Sequence, residues 1–153
     1  MAGRGDGKDV VQVSRRIQAP IHLVFEAWLD PEIRRRWWRP GDPNKVCRSI
    51  EIEPRKGGRF SVEVDKPGEA HTCVNFGTFL EIERPTLLRF TWTSADPADQ
   101  VRDTLVTVRF ESHGQETEVT IVHERLPNQT QRDGHSYGWT SLLELLEQDL
   151  LAR

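Results

Sequence analysis

The chain reads as an α+β protein: a seven-stranded, curved antiparallel sheet wrapped around a long C-terminal helix, with two short helices between strands 1 and 2. Three observations predict this. From His135 to Leu151 the residues Trp139, Leu142, Leu143, Leu146 and Leu150 recur at helical spacing, an apolar stripe too wide to face water, with Glu144, Glu147 and Gln148 opposite. From Val46 to Arg125 the chain repeats in twos, in six segments parted by turn residues. Ahead of these, two short helical patterns meet at Asp30-Pro31.

Taken in order, residues 1–8 are a glycine-rich tail, and their glycines neither follow a strand nor open a helix, so they make no phosphate loop. Residues 9–17 form the first strand, with Val11, Val13 and Arg15 alternating against polar neighbours. Ala19-Pro20 opens a helix carrying Val24, Phe25, Trp28 and Leu29, and Asp30-Pro31 ends it. A second helix, Glu32 to Trp38, stops at Pro40, Gly41 and Pro43. The strands are expected at 46–53, 58–65, 70–83, 87–94, 102–111 and 116–125. Between them lie Pro54 with Gly57-Gly58, Pro67-Gly68, Pro85, Asp96-Pro97 and His113-Gly114, short connections suited to an antiparallel meander. Thr130 followed by Asp133 reads as a capping box, so the last helix is expected to start near Gln131 and run for roughly 20 residues, about 30 Å.

At 153 residues and 36% hydrophobic, residues 9–153 fit one domain with one core. A net charge of −3 gives no concentrated basic face, and no nucleic-acid partner is expected. Cys47 and Cys73 form neither a CxxC motif nor a disulfide framework, which points to two reduced thiols and a cytoplasmic protein. The sequence shows no signal peptide and no integral membrane segment. The five histidines include no pair at ligand spacing, so no metal and no cofactor are expected, and Ser136 beside His135 is chain adjacency rather than a nucleophile with its base.

Alternation sorts the sheet into faces. The apolar phase holds Val46, Ile50, Ile52, Phe60, Val62, Val64, Val74, Phe76, Leu80, Ile82, Leu88, Phe90, Trp92, Val106, Val108, Phe110, Val119 and Ile121. Arg48, Thr72, Arg102, Thr104 and His123 share that phase as its polar members. No inner carboxylate appears, which leaves a paired-carboxylate mechanism without acids unless a bulge near Gly77 shifts the phase.

Four landmarks then stand in order: Ala19-Pro20 before Val24-Phe25-Glu26-Ala27-Trp28; Arg36-Trp37-Trp38-Arg39-Pro40; Pro54-Arg55-Lys56-Gly57-Gly58-Arg59-Phe60; and His135-Ser136-Tyr137-Gly138-Trp139 ahead of the leucine stripe. Over residues 9 to 151 the chain resembles the START-like, helix-grip domains of the SRPBCC superfamily. More closely it is similar to the branch named after the C-terminal domain of the heat-shock-protein ATPase activator. Arg39 departs from the Gly common there. The resemblance implies a deep, mostly apolar cavity and supplies no reaction, since members carry lipids, steroids or hormones, cyclise polyketides or bind chaperones.

The expected site lies between the inner sheet face and the last helix. It is lined by Phe60, Val62, Phe76, Phe90, Trp92, Val108, Trp139 and Leu143, with Trp38 near one end and His123, Tyr137 and Arg48 as polar contacts. His123 suits either a general base or a hydrogen-bonded structural residue. Trp37-Trp38 beside Arg34, Arg35 and Arg36 reads as buried tryptophan with a solvated basic side. Gly134 and Gly138, one turn apart, let either a ligand or a strand approach the helix backbone. The expected partner is a small apolar or aromatic ligand, neutral or weakly acidic and oxygen-bearing at one end, bound by a monomer or weak homodimer acting as carrier or sensor. A cyclase- or aromatase-like enzyme and a co-chaperone are the alternatives.

Overall fold

The computed structural model describes residues 10–152 other than 41, 70, 71, 97 and 98. The expected tail, residue 9 of the first strand, residues 70 and 71 of the fourth and the turn residues Gly41 and Pro97 lie outside that set. The elements run β1 (Val10–Ile17), α1 (Ile21–Glu26), α2 (Pro31–Trp37), β2 (Val46–Ile52), β3 (Arg59–Asp65), β4 (Thr72–Glu83), β5 (Leu87–Asp96), β6 (Asp99–His113), β7 (Glu116–Glu124) and α3 (Gln129–Leu151). One seven-stranded sheet in the order β1-β7-β6-β5-β4-β3-β2 joins them, antiparallel at every pairing. It curves around α3 in the expected α+β helix-grip arrangement, and Leu143 and Leu146 are fully buried against it.

Local chemistry explains the helix ends. The Asp30 carboxylate accepts from the N–H groups of Glu32 and Ile33 at 2.9 and 3.4 Å, and Pro31 occupies the first turn where no donor is needed. The last helix begins earlier than the Thr130 capping box predicts. Asn128 is its cap, accepting from Gln131 N at 2.9 Å, while Asp133 accepts from Gln129 one turn back at 2.7 Å. The helix is tied to β1 by Glu147, whose carboxylate accepts from Arg15 Nε and Nη2 at 3.1 and 2.8 Å and from Gln18 N at 2.9 Å. At Arg39, where the resembling family favours Gly, the N–H donates to Trp37 O (2.9 Å) and the guanidinium to Pro43 O (3.0 Å). Its φ is not positive, so the turn accepts a side chain.

Bulges correct the expected faces. The β2–β3 register slips between Cys47 and Ser49, which turns Val46 and Arg48 outward and Cys47 inward. The β4–β5 register slips between Phe79 and Glu81. Above that slip Asn75 and Phe79 face the core, and Phe76 and Leu80, expected inside, are exposed. At Gly77 a Cβ would stand 1.8 Å from the Thr91 carbonyl oxygen, so only glycine lets β5 pass there. A third slip between Trp92 and Ser94, with Asp103 at φ 51, buries Val101 and leaves Arg102 outside.

Candidate functional site

All five tryptophans meet inside the sheet's curve. Trp28, Trp37 and Trp38 come from the α1–α2 region, Trp92 from β5 and Trp139 from α3. Trp139 lies 6.2 Å from Trp28 in a stacked pair, 5.8 Å from Trp38 and 5.4 Å from Trp92. Phe60, Val62, Phe90, Val108 and Leu143 pack into the same buried core, so most of the space expected to be open is filled by the protein itself.

Arg34 sits within this core, 1% exposed, with no carboxylate partner among the described residues. Its guanidinium carbon lies 4.1 Å from the Trp38 ring centroid and 5.5 Å from that of Phe60, and Nη1 donates to Trp28 O at 3.2 Å. Burial pushes its pKa down to about 9, with Cys47 acting the other way. The expectation of a solvated basic side holds for exposed Arg35 and Arg36 and fails for Arg34. The signal lay in spacing, because Arg34 is three and four residues from Trp37 and Trp38 and shares their face of the helix.

His123 is also buried, and both ring nitrogens are taken. Trp139 Nε1 donates to Nδ1 at 3.0 Å, so the proton sits on Nε2 and is donated to Thr104 Oγ1 at 2.8 Å; that hydroxyl donates to Trp92 O at 2.7 Å. Burial, and then His135 beside it, hold the His123 pKa well below the usual histidine range. The residue is a neutral strut that aims Trp139.

The open space is a cavity of about 190 Å³ at one end of the core. Gly134, His135, Gly138, Trp139 and Leu142 of α3 form one wall, Cys73, Asn75, Trp92, Ser94 and Asp96 of β4 and β5 the other, and Pro40 and Lys45 close the end. A Cβ on Gly134, which is exposed, or on Gly138, which is half-buried, would meet nothing within 4 Å, so among the described residues no strand presses on them. Of the residues expected to line a site, Trp92 and Trp139 do so. Trp38, Phe60, Val62, Phe90, Val108, His123 and Leu143 are packed core. Phe76 and Tyr137 are 44% and 67% exposed. Arg48 faces outward, donating to Thr72 Oγ1 at 3.2 Å near Asp65.

The cavity's polar groups were not among the inner-face residues expected from alternation. Asn75 was hidden by the slip beyond Phe79 and Asp96 by a strand running further than expected, while Ser94 lay within the expected strand two residues beyond Trp92. Asp96 supplies a carboxylate that alternation alone did not place on the inner face. Cys73 Sγ donates to its Oδ2 at 3.0 Å, and burial with that bond pushes the thiol up to about 11, so the sulfur is a protonated donor rather than a nucleophile. Lys45 Nζ donates to Pro40 O at 2.7 Å. The remaining metal-ligating cluster among the described residues is Glu111, His113 and Glu118, exposed or half-exposed on the β6–β7 hairpin away from this cavity.

Known proteins place the chain. A protein from Chromobacterium violaceum superposes with a TM-score of 0.81 at 24% identity, over 92% of this chain and 96% of that one. A protein from Nitrosomonas europaea gives 0.79 at 22%, over 97% of both chains. The AHSA1-like protein from Aeromonas hydrophila gives 0.74 at 24%, over 93% of both. At such identities these likenesses speak for the fold. No curated protein matches significantly. Residues 18–150 match the model of the Activator of Hsp90 ATPase homolog 1-like proteins, and the chain belongs to that family.

Proposed function

We propose that the protein binds a small, largely apolar ligand in the cavity between α3 and strands β4 and β5, as a carrier or sensor. One observation carries the reading: Gly134 and Gly138 line a half-open cavity on α3, and a Cβ on either would meet nothing within 4 Å. Glycine inside a helix costs about 1 kcal/mol relative to alanine, so two in one wall are a stability loss that packing does not explain. The size is restrictive. A cavity of about 150 Å³ admits benzene, so about 190 Å³ suits one ring with a small substituent rather than a steroid or a fatty acid. Trp92 and Trp139 offer it aromatic walls.

Turnover is less well supported. His123, the general base the sequence suggested, has both nitrogens occupied, and Cys73 is held as a thiol. A co-chaperone role rests on the family's description alone. Both cysteines are free, which fits a reducing compartment, and no described helix is long and apolar enough to cross a membrane.

The test uses the two lining tryptophans as reporters. Titration with single-ring aromatics should change tryptophan fluorescence saturably in wild type. Gly138→Leu, which fills the cavity, should abolish the response while keeping the fold. Binding that persists in Gly138→Leu, or absent from wild type across the series, overturns the reading.

A further inference from the structure

Two polar side chains in the cavity wall have no protein hydrogen-bond partner among the described residues. Asn75 and Ser94 are 6% and 4% exposed, they face each other across the β4–β5 ladder, and both line the cavity. Among the described residues neither side chain makes a hydrogen bond, although inner-face neighbours such as Phe79 and Phe90 show that the sheet fills such positions with apolar groups. The amide of Asn75 and the hydroxyl of Ser94 keep polar atoms open to the cavity, where a ligand can take the place of solvent as their hydrogen-bond partner.

The chemistry of these groups restricts what fits. A side-chain amide presents one acceptor and a donor pair side by side, so its complement carries an acceptor and a donor at the same spacing, as another amide does. The Ser94 hydroxyl can donate or accept a hydrogen bond, which suits either the carbonyl or the N–H of such a group. Net charge is disfavoured. The charged side chains at the cavity are Lys45 and Asp96, one of each sign, and Lys45 is engaged with Pro40 O, so neither an ammonium nor a carboxylate finds an unopposed counter-charge.

We infer that Asn75 and Ser94 form the recognition end of the cavity for a neutral, one-ring-sized ligand bearing a carboxamide, lactam or similar carbonyl beside an N–H. This rests on the ligand-binding reading and specifies its ligand. The polar end lies against β4 and β5, and the apolar body of the ligand lies along the surface of α3 opened by Gly134 and Gly138.

Three probes of matched size separate the cavity from its chemistry: benzamide, its apolar counterpart isopropylbenzene and its charged counterpart benzoate, each titrated by NMR against wild type, Asn75→Leu and Ser94→Ala. Wild type should prefer benzamide to both. Asn75→Leu should weaken benzamide at least tenfold while isopropylbenzene binds as well or better, which also shows that the variant is folded; Ser94→Ala should weaken benzamide severalfold. Benzamide binding unchanged in both variants, or benzoate binding tightest, overturns the polar assignment while the cavity stands. Failure of both benzamide and isopropylbenzene to bind wild type removes the cavity reading and this inference with it.

Discussion

His123 shows how a residue that looks reactive in a sequence becomes structural once its neighbours are known. Its Nδ1 accepts from Trp139 and its Nε2 proton goes to Thr104, so protonation would break the bond from Trp139 and place a charge in the core. The pH consequence has a definite sign. The native pKa is depressed, so below about pH 6.5 the unfolded chain takes up a proton that the native protein refuses, and stability falls as pH drops toward the native value. Urea unfolding from pH 7.5 to 5 should show wild type losing up to about 1.4 kcal/mol per pH unit more than His123→Gln. Parallel curves would mean that His123 takes up its proton alike in the native and unfolded states. Arg34 makes a second case. An uncompensated buried cation is expensive, and rings at 4.1 and 5.5 Å offset only part of that cost. Arg34→Met should therefore be neutral or stabilising by about 1 kcal/mol or more in urea unfolding, whereas a loss above about 3 kcal/mol would mean that the aromatic cage outweighs the desolvation of the charge.

Within α3, stability and open space oppose each other. Trp139 is the helix's anchor, touching Trp28, Trp38, Trp92 and His123, and its truncation to Ala should cost about 3–5 kcal/mol in denaturant unfolding. Gly134 and Gly138 act in the other direction. Because their Cβ positions are empty, Gly134→Ala and Gly138→Ala should each raise stability by about 1 kcal/mol while narrowing the cavity. A melting temperature that falls in either variant would mean that the space is not free. Among the strands, alternation located every segment and then lost the phase at slips beside Arg48, Leu80 and Thr93. One inserted residue reverses all that follows it, and no residue type marks the insertion.

At the scale of the molecule, the tryptophan cluster draws on the α1–α2 region, β5 and α3 together, so helix and sheet have no separate cores to lose. Unfolding should be a single transition, with tryptophan fluorescence and far-ultraviolet circular dichroism sharing one midpoint in urea. Separated midpoints would show that α3 detaches before the sheet melts.

The sequence by itself determined the element order, the antiparallel meander and the burial of the leucine stripe, because period and turn chemistry are local properties that survive without knowledge of neighbours. Tertiary structure decided the site. Whether Phe90 or Trp38 would border a void or fill it depends on how five large rings pack against one another, and whether Asn75 or Phe76 faces inward depends on a register slip several residues away. Both are settled by pairing between distant segments, which is why the aromatic residues read as pocket walls became core and the polar groups that line the cavity went unnoticed.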